Sequence, residues 1–190
     1  AQWRASIARL TSFADSMEAA RQDRPQAAAI RMAPTAEHAF RVHDLSLALP
    51  DGRMLIEHVD GALTPGDRVA IVGPSGSGKT TFLRALAGIW PFGRGRIEVP
   101  TDDRPLFLSH RPYLPIGSLR AAVAYPAASD AFPDERIREV LELLELDRLV
   151  DRLDETRHWE QELSGDEQQR LTFARVFLHA PTWLFLDDAT

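Results

Sequence analysis

The sequence predicts an α/β fold with a mostly parallel sheet, and three observations carry that expectation. Short apolar runs alternate with stretches of helical periodicity from Phe40 to Leu186. A glycine-rich loop, GPSGSGKT, sits between one such run and one such stretch. The 44% hydrophobic and 26% charged residues are the balance of a chain that packs a core, and 190 residues suffice for one core with a short appendage.

Each element has a local reason. Phe40 to Leu49 alternates like a strand, Pro50 to Gly52 supplies a turn, and Met54 to Val59 gives a second strand. Val69 to Val72 is a short continuous apolar run, which suits a buried central strand. Thr80 to Ile89 has helical periodicity, while Ile97 to Val99 and Leu106 to Leu108 read as further short strands. Asp134 is placed to cap a helix that buries Ile137, Val140, Leu141, Leu144 and Leu146. Ser164 to His179 reads as a helix and Trp183 to Leu186 as a last buried strand. Ahead of all this, Trp3, Ile7, Leu10, Phe13 and Met17 recur at helical spacing and predict a helix within residues 1–24. RPQAAAIRMAP, bounded by two prolines, predicts a linker over residues 25–34.

The bulk chemistry excludes several classes. With no cysteine, disulfides and thiolate metal sites are ruled out within this chain. No apolar run approaches the ~18 residues of a membrane span. A net charge of −6 argues against nucleic acid as a partner. Of the 22 basic residues 21 are arginine, and the one lysine is Lys79.

That lysine lies in the loop. Gly73, Pro74, Ser75, Gly76, Ser77, Gly78, Lys79 and Thr80 match G-x-x-x-x-G-K-[ST] at every fixed position, between a strand-like run and a helix. The glycines let backbone N–H groups converge on phosphate oxygens, and the start of the following helix, including Thr81, adds positive potential. Lys79 offers a compact ammonium to the outer phosphates where a planar guanidinium would not fit, and the Thr80 hydroxyl is a ligand for Mg²⁺. In a phosphate-binding loop domain an acid at the end of a buried strand supplies the other magnesium contact, a role that Asp187 fits. Asp188 stands where a residue polarising the attacking water belongs. Farther back, LSGDEQQR carries Ser164 and Glu167 as an S-x-x-E capping box, with Asp166 in the first turn of the same helix.

GPSGSGKT, LSGDEQQR and WLFLDDAT in this order resemble the motifs of ABC-type ATPases from about Arg31 to the end of the chain. LAGIWPFGRGRI and RPYLPIGSLRAAVAYP are similar to the subfamily that holds the peroxisomal fatty-acyl-CoA transporters (subfamily D) and their bacterial half-transporter relatives. The resemblance implies a P-loop NTPase core of ABC type, with an antiparallel β subdomain and a helical subdomain, preceded by an N-terminal helix. Residues 1–24 then correspond to a cytoplasmic extension from a transmembrane domain, 25–34 to a linker and 35–190 to a partial nucleotide-binding domain. It also implies continuation beyond Thr190, after Walker B, so that the chain is expected to be part of a longer polypeptide.

The implied activity is ATP binding and Mg²⁺-dependent hydrolysis that drive transport. A head-to-tail homo- or heterodimer would set Walker A (Gly73 to Thr80) and Asp187 of one chain against Ser164, Gly165, Asp166 and Glu167 of the other. The partners are a transmembrane domain of the same polypeptide and a second nucleotide-binding domain, at the cytoplasmic face of the cell's inner membrane. Two alternatives stay open: a nucleotide-gated binding module with little hydrolysis, and a soluble ABC ATPase outside transport. The interval from Lys79 to Ser164 is too short for the coiled-coil insertion of DNA-repair relatives.

Three positions depart from the family pattern. His110 replaces the loop glutamine that contacts magnesium, Asp166 replaces a glycine of the signature, and Asp188 replaces the catalytic glutamate. A neutral His110 can still ligate, whereas a protonated one repels Mg²⁺. Asp188 is one methylene short, and errors of about 1 Å cost on the order of a hundredfold in rate. No tyrosine stands between Leu47 and Leu55 to stack on adenine, and that contact is unassigned.

Overall fold

A computed structural model describes residues 30–101, 104–109 and 112–187. They divide into two compact units, one ending at Thr101 and the other following it. The predicted helix within residues 1–24 and the first part of the linker lie outside the described residues.

The first unit is built on a four-stranded sheet. Its strands are β1 (Arg31–Thr35), β2 (Phe40–Ala48), β3 (Met54–Leu63) and β4 (Gly93–Pro100), in the order β1-β4-β2-β3. β2 runs antiparallel to both β3 and β4, whereas β1 runs parallel to β4. The segment Arg31 to Pro34, expected as linker, is therefore an edge strand. Pro34 is tolerated there because an edge strand need not donate on both sides. β2 buries Phe40, Val42, Leu45, Ser46 and Leu47, its alternation interrupted by a register shift between Val42 and Leu45. Ile97 of β4, opposite Val42, is buried too. Along the chain between β3 and β4 comes helix α1 (Lys79–Leu86), two turns that bury Ala85 and Leu86. Trp90 closes the link from α1 to β4, donating its indole N–H to the Ala48 carbonyl at 3.0 Å.

Val69 to Val72 does not form the predicted central strand. Ladder hydrogen bonds hold an apolar run as a strand, and none of the sheets includes this one. Its side chains are accordingly exposed, Val72 at 87%. The largest sheet is likewise antiparallel apart from the β1–β4 pair, so among the described residues the mostly parallel sheet expected from strand–helix alternation is not found.

The second unit combines a parallel pair with a helical layer. β5 (Leu106–Leu108) pairs in parallel with the final strand β8 (Leu184–Leu186), and Phe107 stacks on Phe185 with ring centres 4.6 Å apart. Of the run Trp183 to Leu186 expected as a buried strand, Trp183 and Phe185 are buried, whereas Leu184 and Leu186 are exposed. Between β5 and β8 come β6 (Gly117–Ser118), α2 (Leu119–Ala124), α3 (Asp134–Leu143), a 3₁₀ turn (Asp147–Arg152), β7 (Thr156–Arg157), α4 (Trp159–Glu162) and α5 (Gly165–His179). Leu119, Val123, Ile137, Leu141, Leu149 and Leu171 form the centre of the helical core, and Trp159 fills it while donating its N–H to the Gly117 carbonyl at 3.1 Å. Asp134 is the first helical residue of α3 rather than its cap, because its carboxylate is taken by Arg120. That guanidinium holds the Asp134 carboxyl below the usual carboxylate range.

One buried charge ties the layer together. Arg175 of α5 is 4% exposed and pairs with no carboxylate among the described residues; it donates to the Ala122 and Tyr113 carbonyls and lies over the Tyr125 ring. Burial pushes its pKa down to about 10.

Gly95 of β4 has φ +115, and an added Cβ would come 2.6 Å from the Asp44 carbonyl oxygen and 2.7 Å from the Leu45 Cα. Gly95→Ala is expected to destabilise the first unit by about 2 kcal/mol or more. Gly52→Ala, at φ +86 in an open turn with nothing within 4 Å, should cost only about 1 kcal/mol. Chemical denaturation of both variants checks the difference.

Candidate functional site

The glycine loop is shaped by two left-handed residues. Gly76 has φ 77 and Gly78 has φ 97, conformations that L side chains rarely adopt. A Cβ on Gly78 would also press on Leu55 of β3 at 3.3 Å, so the loop lies close against the sheet there. Ser77 N–H donates to the Pro74 carbonyl at 3.2 Å and tightens the curl. Gly78 is also the N-cap of α1, and it has no side chain with which to cap. No acid occupies the first turn. The first N–H groups of a helix lack partners within it, so this start is chemically ready for an anion.

Lys79 turns into the loop. Its Nζ donates to the Gly73 carbonyl at 2.9 Å and to the Pro74 carbonyl at 3.1 Å. The loop thus wraps the one ammonium of the chain with its own carbonyls, holding it at the cradle's centre. Thr80 follows in the first turn of α1, and Thr81 is buried. Gly73 to Thr81 run continuously from the loop into the first turn of α1.

The second group of expected residues lies in the other unit. Ser164, Gly165 and Asp166 are exposed at the start of α5. The capping box is present: Ser164 Oγ accepts from Glu167 N–H at 3.2 Å, and Glu167 Oε2 accepts from Ser164 N–H at 2.9 Å. These bonds, with Arg148 donating to Glu167 Oε1 at 2.6 Å, hold the Glu167 carboxyl below its usual range. Asp166 is paired with Arg170, one helical turn on. Asp187 follows β8, and its N–H donates to the Leu108 carbonyl at 2.9 Å, extending the parallel ladder by one bond. His110 and Asp188 lie outside the described residues.

Sequence reasoning missed Arg148 and Arg170. The four-residue spacing of Asp166 and Arg170 on one helix was a readable signal. Arg148 reaches Glu167 from 19 residues away, and no local pattern announces it.

The fold of the chain matches that of a solved structure described as a bacterial Atm1-family ABC exporter with ATP bound, with a TM-score of 0.68 at 22% identity. The match covers 84% of this chain and 31% of that one. A family model described as ABC transporter matches residues 56–190, the span that holds both the glycine loop and the capped helix. The chain belongs to the ABC transporter family. Its α/β architecture is the P-loop core of that family, with the antiparallel β subdomain and helical subdomain described above. An uncharacterized ABC transporter ATP-binding protein of Haemophilus influenzae is 44% identical over 77% of the chain. The inner membrane ABC transporter ATP-binding protein YddA of Escherichia coli is 35% identical over 81%, and human ATP-binding cassette sub-family D member 3 is 32% identical over 82%. Subfamily D members are thus among the relatives. The chain spans about a quarter of the length of these curated relatives (25%, 27% and 25%). Among the described residues no helix is long and apolar enough to cross a membrane.

Two expectations follow from this geometry. Lys79→Ala should weaken MgATP binding by about ten- to a hundredfold in calorimetry, and Lys79→Arg should not restore it. The depressed pKa of Glu167 gives a stabilisation that is full above the ordinary glutamate value and is lost as pH falls through the lowered, folded value. The destabilisation caused by Glu167→Gln should therefore shrink across that acid window, as denaturation at stepped pH would record.

Proposed function

We propose that this chain is the ATP-hydrolysing motor domain of a membrane transporter. The observation that supports it most is the loop: two left-handed glycines, an uncapped helix start and a central ammonium form a cradle for a polyphosphate. In this reading the N–H groups of Gly76 to Thr81 bind phosphate oxygens, and Lys79 exchanges its contacts with the Gly73 and Pro74 carbonyls for the outer phosphates. Thr80 and Asp187, with His110, are the residues that would hold Mg²⁺. A hydroxyl and a carboxylate are hard oxygen donors of the kind this ion takes while keeping several waters. When bound, the ion neutralises charge that develops on the phosphates. Asp188 orients the attacking water, and its short side chain predicts slow turnover.

The domain works as a head-to-tail pair, homo- or heterodimeric, in which Ser164 to Glu167 of one copy face the nucleotide on Walker A of the other. Residues 1–24 join it to a transmembrane domain of the same polypeptide at the cytoplasmic face of the inner membrane. MgATP binding closes the pair and hydrolysis releases it, moving the membrane domain between its states. Nucleic acid has no part in this cycle.

The test is MgATP turnover by the full-length protein beside Asp188→Glu. Wild type is expected to hydrolyse slowly, and the longer acid to raise kcat by about ten- to a hundredfold with little change in nucleotide affinity. Binding without turnover in both proteins would replace the motor with a nucleotide-gated module.

A further inference from the structure

The family pattern has glycine where this chain carries Asp166, at the second helical position of α5. An acid there would set a negative charge in front of the N–H groups that are to meet a partner's γ-phosphate. The structure shows that charge engaged elsewhere. Asp166 Oδ2 accepts from Arg170 Nε at 3.0 Å and, at closer range, from a terminal nitrogen of the same guanidinium. The opposite edge of Arg170 is fixed as well. Its other terminal nitrogen donates to the Glu145 carbonyl at 3.3 Å and to the Leu144 carbonyl at 3.5 Å, and it contacts Glu145 Oε2 at 3.3 Å. Those carbonyls belong to the C-terminal end of α3, where Glu145 turns the chain with φ 55 and the helix end is negative.

The side chain of Asp166 is 65% exposed and that of Arg170 only 35%, so the arginine is the anchored member of the pair. Glu167, the other acid of the turn, is matched by Arg148. Each acid at this helix start therefore has its own guanidinium, one from four residues on in α5 and one from the 3₁₀ turn.

We propose that Arg170 is a positioning residue that draws the Asp166 carboxylate back along the flank of α5 and neutralises it, so that the helix start still accepts a phosphate. This rests on the reading that the signature faces a partner's nucleotide. In this role Arg170 acts through Asp166 and not on the nucleotide itself. The contacts with Glu145 raise a competing role, that of a strut between α3 and α5, and the experiment separates the two.

The test measures the MgATP concentration at which the paired domains of the full-length protein close, followed by energy transfer between fluorophores on the two copies. Four proteins are compared: wild type, Arg170→Gln, Asp166→Asn and the double variant. Glutamine keeps a donor for the carbonyls at the end of α3 but loses the charge, and thermal unfolding confirms that each variant is folded. In the presence of Asp166, Arg170→Gln is expected to raise the closing concentration about tenfold, the effect of one uncompensated charge at a helix start. In the Asp166→Asn background the same substitution should raise it by less than about twofold. Equal shifts in both backgrounds would make Arg170 a strut and overturn the proposal, as would no shift in either. A wild type that binds MgATP but never closes would instead defeat the paired-signature reading, and this inference with it.

Discussion

A helix start without a side-chain cap has N–H groups that find no partner within the helix, and α1 has such a start by its sequence. Gly78 has no side chain to offer, Lys79 and Thr80 supply no acid, and the glycines before them bend the backbone around the same point. Such an arrangement costs stability in an isolated domain and is recovered when an anion arrives. The placement of Lys79 follows from it. With its ammonium drawn to the Gly73 and Pro74 carbonyls, the loop holds its shape around a cation. α5 solves the same problem in the opposite way, by filling its first turn with a capping box and two paired acids. One helix start has no side-chain cap; the other begins from a settled hydrogen-bond network and offers its exposed rim.

The contrast also explains what could be read from the chain without coordinates. The glycine loop, α1, the capping box and α5 rest on local rules: turn glycines, a hydroxyl three residues before a glutamate, and a 3.6-residue period. The structure follows each of them to within a residue or two at most ends. Leu106 to Leu108 was legible because a short apolar run flanked by breakers has few other uses. The errors came where the outcome depends on distant partners. Val69 to Val72 has the composition of a central strand, yet composition supplies no neighbour to bond with. Arg31 to Pro34 reads as linker, yet β4 offers it a parallel edge. Asp134 had the spacing of a cap, but Arg120, fourteen residues before it, claims its carboxylate. The small elements of the helical layer, β6, α2, β7 and α4, are too short to carry a period at all. At the site, Arg148 was invisible for the same reason.

The helical layer has its own logic. Its core is almost wholly aliphatic, with Trp159 as the large filler, so it carries little that would fix α5 in one direction around its axis. Directional bonds do that. Arg175 grips carbonyls at both ends of the segment from Tyr113 to Ala122, and Gln168 donates to the Glu160 and Leu163 carbonyls beside the signature. Burying a guanidinium without a carboxylate is costly, and the several carbonyl bonds and the Tyr125 ring offset that cost. In return the rotation of α5, and with it the aim of Ser164 to Asp166, is set by geometry that apolar packing could not supply.

The choice of a single lysine in a chain otherwise supplied with arginine has a practical corollary. Reagents and proteases that recognise a primary amine on a side chain find one address in these 190 residues, and it lies in the glycine loop. Apart from an α-amino terminus, acylation, reductive methylation or lysine-specific cleavage of these residues would therefore report on one side chain, that of Lys79. Its reactivity is governed by whether two backbone carbonyls or a ligand hold it. A site assembled for binding has, by its composition, become its own selective label.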